Sequence, residues 1–325
     1  MASMNPDDFI GWLPIRTWQH EGAWRVDWCW FGEQRLTRPF FRDDVDQALR
    51  LPFNQAFRRE TSLQSLLDWQ AASPGLAPAA FIFHASRCGS TLIAQMLACL
   101  DSHVVLSEPP PLDSLLRGHY QDALVGCAQE AGVVAMLSAL GQAPTPSAKH
   151  LVVKLDAWNL FELPILRRCF PDTPWVFLYR DPLEIAASHL LMPGMHMIPG
   201  QLGVSPLNET GEATVPREDY IARRLGRLLE QAAVMCREYG GLALNYSELP
   251  HAVVGRLREP LRLAPDQLDV VMAASRQNAK RPGETFAADA KRKRDSAPAA
   301  LCDAVSRWAE GPYRALEALR LDQSR

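Results

Sequence analysis

The chain lacks the features that would place it in a membrane, in a secretory pathway or on nucleic acid. It has no uninterrupted apolar run of about 18 residues, the length needed to span a bilayer. Its first residues, MASMNPDDFIGW, carry two acids and no apolar core, unlike a secretory signal. Its 34 Lys and Arg against 37 Asp and Glu leave a charge of −3, which attracts neither DNA nor anionic lipid. We therefore expect a cytoplasmic globular protein with no nucleic-acid partner and no membrane span.

Paired cysteines are missing as well. The seven cysteines are scattered, odd in number and without a CxxC pair, at positions 29, 88, 99, 127, 169, 236 and 302. Such spacing favours neither a disulfide framework nor a zinc site. We expect reduced thiols and no metal centre. The 47% apolar and 22% charged residues are typical of a globular protein.

The first 76 residues differ in composition from the rest. Tryptophans crowd a stretch where large apolar and polar residues alternate, as in a half-buried strand: Trp12, Trp18, Trp24, Trp28 and Trp30. We predict a hairpin there, with residues 35–41 as a pairing strand, and then a helix that opens at a Thr or Ser cap in TSLQSLLDWQAA. Residues 1–76 are interpreted as an appendage packed on a main domain of residues 77–325. The tryptophans are expected to be packing residues, with a carbohydrate or peptide platform as the alternative.

From residue 79 onward, short apolar segments alternate with glycine turns and helical patterns. The strand candidates are AAFIFH, HVVLSE, HLVVKLD and WVFLYRD, with a further strand-like LAL before residue 245. One long helical stretch is expected over residues 111–140. This alternation predicts an α/β fold with a mostly parallel sheet covered by helices on both faces. Ligands bind at the carboxyl edge of such sheets.

The segment HASRCGST joins the first of these strands to a helix. The free N–H groups and the dipole of a helix start attract anions. Gly89 lets an anion approach the backbone, Ser90 and Thr91 add hydroxyl donors, and Arg87 adds a forked cation. The loop lacks the first Gly and the Lys of GxxxxGK[ST], so we predict an oxyanion site unlike that of ordinary ATPases. The alternative is a plain turn capped by Ser or Thr.

A second anion site is indicated by Arg180 and Ser188. Arg180 ends the most apolar strand candidate, and Ser188 lies eight residues later in a helix that starts at Asp181 and Pro182. Both side chains can converge on one anion at the edge of the sheet. The alternative is that Arg180 forms a capping ion pair with Asp181.

These segments together resemble a known family. FIFHASRCGSTLIAQML, then SEP, then FPDTPWVFLYRDPLEIAAS are similar to the P-loop sulfotransferases, which use 3′-phosphoadenosine 5′-phosphosulfate (PAPS). The nearest branch is that of the tyrosylprotein sulfotransferases and their bacterial relatives, because the loop carries arginine where the cytosolic branch carries lysine. The resemblance covers roughly residues 80–320. It implies a P-loop-type domain, PAPS as donor, adenosine 3′,5′-bisphosphate (PAP) as product and no required metal.

The resemblance also implies donor-binding roles. It assigns the 5′-phosphosulfate to the first loop, which consists of Ser86, Arg87, Cys88, Gly89, Ser90 and Thr91. It assigns the 3′-phosphate to Arg180 and Ser188. Tyr246, in LALNYSELP, matches a family tyrosine near the cofactor, with a capping turn as the alternative.

A basic segment near the C-terminus is the third cluster. Residues 276–294 hold seven Lys or Arg against Glu284 and Asp289. In sulfotransferases a basic loop in this region folds over the 3′-phosphate, so the resemblance makes Lys280 and Arg281 candidates. The alternative is a solvated charged surface.

Sulfuryl transfer needs a base for the acceptor hydroxyl and cations near the transferring oxygens. Glu108 is the candidate base, because it follows the strand HVVLS, precedes three prolines and lies 21 residues after Arg87. The glutamate of the resembling branch has a like position. His84 and His103 are the alternatives, since the cytosolic branch uses histidine.

Lys154 is a cation within the apolar strand HLVVKLD, where lysine is rare unless it is paired. It occupies the place of a family lysine that contacts the transferring sulfonate. The alternative is a structural salt bridge to Asp156 or Glu162.

We therefore expect an enzyme that moves a sulfuryl group from PAPS to a hydroxyl or amine of a small-molecule or peptide acceptor. A P-loop nucleotide or small-molecule kinase is the first alternative, disfavoured by the missing lysine. A catalytically silent nucleotide-binding module is the second. The segment HLLMPGMHMIPG, residues 189–200, fits a loop over an acceptor pocket better than a copper site.

Overall fold

The computed structural model describes residues 6–121, 128–277 and 294–324. Its N-terminal part is a three-stranded antiparallel sheet of β1 (Trp12–His20), β2 (Ala23–Trp30) and β3 (Arg59–Ser62). β1 and β2 form the expected hairpin, in which Trp12 pairs with Trp30. The two turn residues, Glu21 and Gly22, have positive φ angles of 48° and 75°. This conformation matches the twist of the paired strands.

The third strand of this sheet differs from the prediction. β3, rather than residues 35–41, pairs with β2. Arg35 instead donates to the carbonyl oxygens of Ala98 and Leu100, at 2.8 and 2.5 Å, and to the Asp101 carboxylate at 2.7 Å. The last carbonyls of a helix have no partner within it, and the guanidinium supplies one here. Residues near 35 therefore attach the N-terminal part to the main sheet instead of extending the hairpin.

A five-stranded parallel sheet forms the centre of the fold. Its strands are β4 (Pro78–His84), β5 (His103–Ser107), β6 (His150–Lys154), β7 (Trp175–Tyr179) and β8 (Leu242–Asn245). They lie in the order β5-β6-β4-β7-β8, and every pairing is parallel. The predicted α/β fold is confirmed. The chain forms β5 and β6 on one side of β4 and then β7 and β8 on the other side. The connections on the two sides therefore diverge at the carboxyl end of β4.

Helices pack around both sheets. They are α1 (Phe41–Ala48), α2 (Pro52–Ala56), α3 (Leu63–Ala72), α4 (Ser90–Ala98), α5 (Pro110–Leu116), α6 (Gln129–Leu140), α7 (Leu163–Cys169), α8 (Pro182–Leu191), α9 (Arg217–Tyr239), α10 (His251–Val254), α11 (Leu268–Ala274), α12 (Ala299–Trp308) and α13 (Glu310–Gln323). The stretch expected as one helix over 111–140 thus contains α5, a 3₁₀ turn and α6. Across the described ranges, no helix has the length and apolar character needed to cross a bilayer.

Two helix starts follow the sequence prediction. The Ser62 hydroxyl accepts from the Ser65 N–H ahead of α3, and the Asp181 carboxylate accepts from the Glu184 N–H at the start of α8. Pro182 is the first residue of α8, where a missing N–H costs nothing. These caps fix where each helix leaves the preceding chain.

The parallel strands are buried along nearly their whole length, as expected for a sheet covered on both faces. Each fully buried aliphatic side chain contributes about 1.5–3 kcal/mol. Among the buried residues of these strands, Lys154 carries an ammonium group, and it ends β6 with 0% of its surface exposed. A buried ammonium at the end of a strand requires a partner, which the candidate site supplies.

Asn54 provides a test of how the N-terminal part is held together. It is fully buried, accepts from the Trp30 N–H at 2.9 Å, and donates to the carbonyls of Trp30 and Ala48 at 2.8 and 3.0 Å. Asn54→Ala removes three hydrogen bonds to backbone groups, and we expect a loss of about 2–4 kcal/mol in the free energy of unfolding. Urea unfolding measures it. The control is Gln55→Ala, an exposed neighbour with one bond to Arg50, which should change little. Equal losses in the two variants would contradict this role of Asn54.

Candidate functional site

Each strand of the parallel sheet ends at or next to a residue singled out from the sequence. In sheet order from β5 to β8, these residues are Glu108, Lys154, His84, Arg180 and Tyr246. Because parallel strands end at one edge of a sheet, the five residues lie along that edge. The edge is therefore the candidate site.

His103 lies at the opposite edge. It is the first residue of β5, whereas Glu108 follows the last. Its buried ring contacts the Ser102 hydroxyl at 2.8 Å and the Leu261 carbonyl at 2.9 Å. The structure thus separates this alternative base from the other predicted residues.

The loop between β4 and α4 has a tightly curved backbone. Ser86, Arg87 and Gly89 have positive φ angles of 61°, 49° and 93°. Such angles cost a non-glycine residue of the order of 1–3 kcal/mol, so the surrounding contacts must hold them. One such contact is the buried Cys88 thiol, which donates to the Leu178 carbonyl at 3.1 Å. Ser90 and Thr91 are buried in the first turn of α4.

Gly89 has a second reason to be glycine. A Cβ at this position would lie 2.6 and 2.7 Å from the Cδ2 and Cε2 atoms of the Tyr246 ring. The aromatic ring therefore packs directly on the loop backbone. The Tyr246 ring has a second contact, because the Arg180 guanidinium lies 4.3 Å from its centre. Tyr246 links the two predicted anion sites.

Glu108 is held between two nitrogen groups. Lys154 Nζ forms an ion pair with Glu108 Oε1, and His84 Nε2 lies 3.1 Å from the same oxygen. The Glu108 N–H also donates to the Lys154 carbonyl at 2.7 Å. Glu108 itself has a positive φ of 57°. The carboxylate is therefore fixed by both its side chain and its backbone.

The hydrogen bonds of His84 determine its tautomer. The Ser86 N–H donates to His84 Nδ1 at 3.0 Å, so Nδ1 accepts. In the neutral ring the proton then lies on Nε2, which donates to Glu108. Both ring nitrogens are engaged. His84 thus positions Glu108 in this arrangement and does not itself face an acceptor as a base.

The charges around Glu108 decide its protonation. Burial by itself would raise the pKa of the Glu108 carboxyl, but the Lys154 ammonium and His84 outweigh it and hold that pKa well below its usual range. By contrast, burial and the carboxylates of Glu108 and Asp113 raise the pKa of Asp156. Glu108 is the ionised carboxylate of the group.

The structural alternative for Lys154 was a salt bridge to Asp156 or Glu162. Lys154 pairs with Glu108 instead. Glu162 accepts from the Tyr120 hydroxyl at 2.6 Å, and burial raises the pKa of Glu162 to about 7. The sequence could not choose among these partners, because β5 becomes the neighbour of β6 only in the folded sheet.

Arg87 connects the loop to the segment after α8. Its Nη2 donates to the Met192 carbonyl at 2.8 Å. Burial lowers the pKa of Arg87. The Glu108 carboxylate opposes this effect, because the guanidinium lies close enough to feel its charge. Arg87 therefore lies between the carboxylate and residues 189–200.

Arg180 belongs to a cluster of alternating charge. It forms an ion pair with Glu184, and Arg294 Nε lies 3.3 Å from the other oxygen of Glu184. The alternative interpretation was an ion pair of Arg180 with Asp181, but Arg180 pairs with Glu184 and the Asp181 carboxylate accepts from the Glu184 N–H at the start of α8. Ser188 lies one helical turn after Glu184 on the same face of α8. Two arginines against one glutamate leave a net positive charge beside Tyr246.

Arg294 was not singled out from the sequence, since it ends a basic run whose composition is equally typical of a solvated surface. The other candidates in that run, Lys280 and Arg281, lie outside the described residues. In the ranges that the structure covers, no group of three His, Cys, Asp or Glu side chains has the arrangement that a metal ion needs.

A cavity of about 370 Å³ lies away from this edge. It is bounded by Trp30 and Trp69 of the N-terminal part and by His103 at the amino end of β5. It therefore belongs to the junction between the two sheets and not to the loop that carries Arg87.

Comparison with protein-family models and with curated proteins finds no match. Solved structures that are similar include three sulfotransferases. The sulfotransferase domain from the curacin biosynthetic pathway is 16% identical over 72% of this chain and 97% of that one, with a TM-score of 0.42. A sulfotransferase from Alicyclobacillus acidocaldarius is 13% identical over 75% and 96%, with a TM-score of 0.42. A sulfotransferase from Mycobacterium avium is 14% identical over 73% and 77%, with a TM-score of 0.42.

Proposed function

We propose that the protein transfers a sulfuryl group from PAPS to a hydroxyl acceptor, with Glu108 as the general base. The observation that carries the proposal is an ionised carboxylate fixed between a fully buried lysine and a histidine, beside a strand-to-helix loop that carries an arginine. Base, cation and anion-binding loop are the parts that sulfuryl transfer requires.

The chain's own residues fit such a donor. The loop of residues 86–91 would hold the phosphosulfate through the helix start and Arg87. Gly89 supports this assignment, since its lack of a Cβ lets the Tyr246 ring lie against the loop. Arg180, with Arg294 near it, would hold the 3′-phosphate. The donor supplies the sulfuryl group and the leaving phosphate.

Lys154 controls the basicity of Glu108 in this proposal. While the ammonium pairs with the carboxylate alone, Glu108 is a weak base, because its pKa is low. A sulfonate oxygen near Lys154 would share that charge and raise the pKa of Glu108. Glu108 then takes the acceptor proton, the acceptor oxygen forms a bond to sulfur, and the bond from sulfur to the phosphate oxygen breaks.

A kinase of the same loop type would need an ionised carboxylate for Mg²⁺ after a strand. Asp156 follows β6 at the required place. Burial and its acidic neighbours raise the pKa of Asp156, however, and so disfavour the ionised form. No further observation in the described residues favours the kinase.

Glu108→Gln tests the base. The amide keeps the size of the side chain and its bond to His84 but cannot accept a proton. We expect kcat to fall about 10²–10⁴-fold while PAP affinity changes only a few-fold. Steady-state sulfation kinetics and PAP calorimetry measure the two quantities. Glu130→Gln, at an exposed ion pair with Arg168, is the control. Loss of PAP affinity with kcat preserved would place Glu108 in donor binding instead.

The pH profile offers a separate test of Glu108. A base must be ionised, so activity is lost as pH falls through its pKa. Because the pKa of Glu108 is lowered in the free protein, kcat/KM should show no acidic loss from this group between pH 8 and 5. A decline of kcat/KM centred above pH 6 that disappears in Glu108→Gln would contradict the low pKa.

Arg180→Ala tests the 3′-phosphate site. We expect the variant to bind PAP more weakly by about 2–4 kcal/mol, the range for a lost charge-assisted pair. Adenosine 5′-phosphosulfate lacks the 3′-phosphate, so its affinity should hardly change. Arg294→Ala should show the same selectivity with a smaller loss, since its side chain is half exposed. Arg314→Ala, at an exposed arginine, is the control. Equal losses for both ligands would mean that Arg180 acts only structurally.

A further inference from the structure

A long segment beside the site has no charged side chain. Between Glu184 and Glu209, residues 185–208 contain no Lys, Arg, Asp or Glu. At the chain's average of 22% charged residues, 24 positions would carry about five. We call residues 185–208 the uncharged segment. Its composition sets it apart from an ordinary surface connection, which is mostly polar.

Large apolar side chains of this segment face solvent. Five are exposed by 37–79%, namely Leu191, Met192, Met195, Ile198 and Val204. The full set of exposed large apolar side chains recorded for the described residues numbers twelve, so nearly half lie in this one short stretch. Such a concentration of exposed apolar side chains in one stretch of chain indicates a candidate binding surface.

The uncharged segment is attached to the site through its backbone. Arg87 donates to the Met192 carbonyl at 2.8 Å, Arg217 to the Leu190 carbonyl at 2.8 Å, and Arg224 to the His196 carbonyl at 2.9 Å. Arg117 also donates to the carbonyls of Leu202 and Val204, so four arginines hold the main chain of the segment. The exposed side chains are not used for this attachment and are available to a ligand.

The rings of His196, in the same segment, and of Trp158 form an uncharged wall. His196 is 3% exposed, and its ring centre lies 5.5 Å from that of Trp158. Its buried Nε2 has no hydrogen-bond partner among the described residues. Burial and the neighbouring His84 lower the pKa of His196 to about 3, so the ring is neutral and lies within the field of the site. An apolar molecule with one hydrogen-bonding group fits such a wall.

From this we infer that the uncharged segment binds the acceptor, and that the acceptor is an uncharged apolar alcohol or phenol in free solution whose hydroxyl reaches Glu108. This inference rests on the proposed function. A charged acceptor would lose its hydration against the exposed apolar side chains, because residues 185–208 themselves supply no counter-charge and the arginines beside them are bonded to main-chain carbonyls. An apolar body instead gains free energy in proportion to the area that it buries.

A series of 4-alkylphenols tests the inference. With PAPS as donor, kcat/KM should rise about three- to fourfold for each added methylene from 4-methylphenol to 4-butylphenol. The charged analogues 4-hydroxybenzoate and tyramine should react at least about tenfold less efficiently than 4-methylphenol. A flat series, or charged analogues that react as well as 4-methylphenol, would overturn the inference.

Matched variants locate the effect on the surface. Leu191→Asp and Val204→Asp should flatten the dependence on chain length. Leu321→Asp and Val270→Asp are controls of the same residue types, since each changes a side chain that is 52% exposed on another helix. The controls should keep the full dependence, and all four variants should keep PAP affinity. The same flattening in both pairs would overturn the assignment to the uncharged segment.

Calorimetry separates failure of the inference from failure of the proposed function. If the protein binds PAP normally but does not bind 4-butylphenol, the proposed donor site stands and the inference about the acceptor surface is wrong. If the protein binds 4-butylphenol, Leu191→Asp abolishes that binding and PAP does not bind at all, then PAP is not the donor. The uncharged segment then binds an apolar ligand but has no role in accepting a sulfuryl group. If the protein sediments with phosphatidylcholine vesicles and Leu191→Asp abolishes this, the uncharged segment binds a lipid surface. That result would overturn the inference of an acceptor in free solution.

Discussion

The ion pair of Lys154 with Glu108 is the interaction on which the site depends. Lys154 is fully buried at the end of β6, and an unpaired ammonium there would cost several kcal/mol. The β5–β6 register sets Ser107 opposite Lys154, so the next residue, Glu108, meets the ammonium. The positive φ of Glu108 and its N–H bond to the Lys154 carbonyl belong to the same contact. A strained glutamate backbone and a buried lysine thus stabilise each other.

Two regions of different chemistry meet near this pair. Arg180 and Arg294 form a cationic region along the sheet edge. His196 and the uncharged segment form a neutral region, and Arg87 connects it to the loop through its bond to the Met192 carbonyl. Fixed charges that face an anionic donor need no rearrangement during the reaction, which is how electrostatic stabilisation of a transition state is most effective. In the proposed function, an apolar surface on the acceptor side would exclude water from the same centre.

Much of the fold follows from local sequence patterns. The parallel strands are continuous apolar runs, β4 is followed by a turn that contains Gly89, and the starts of α3 and α8 have recognisable caps at Ser62 and Asp181. The strand ends then identify site residues, because parallel topology gathers them at one edge. The short strand β3, with the sequence RETS, has no apolar alternation and was therefore missed.

The unpredicted part of the site consists of pairings between distant segments. Lys154 could have paired with a carboxylate near it in sequence, but the strand order gives it Glu108. Arg294 reaches Glu184 across more than a hundred residues, and Arg35 bonds to the end of α4 instead of pairing in the hairpin sheet. Local patterns contain no information on strand order or on such long-range contacts.

The central claim is that the site takes a donor with a 3′-phosphate and transfers sulfuryl, not phosphoryl, groups. A thermal-shift titration of the intact protein with PAP and with Mg-ATP tests it most directly. PAP at about one hundred times its dissociation constant should stabilise the protein by about 2.7 kcal/mol and raise its Tm, whereas Mg-ATP at the same concentration should leave Tm unchanged. A larger rise with Mg-ATP than with PAP would contradict the account.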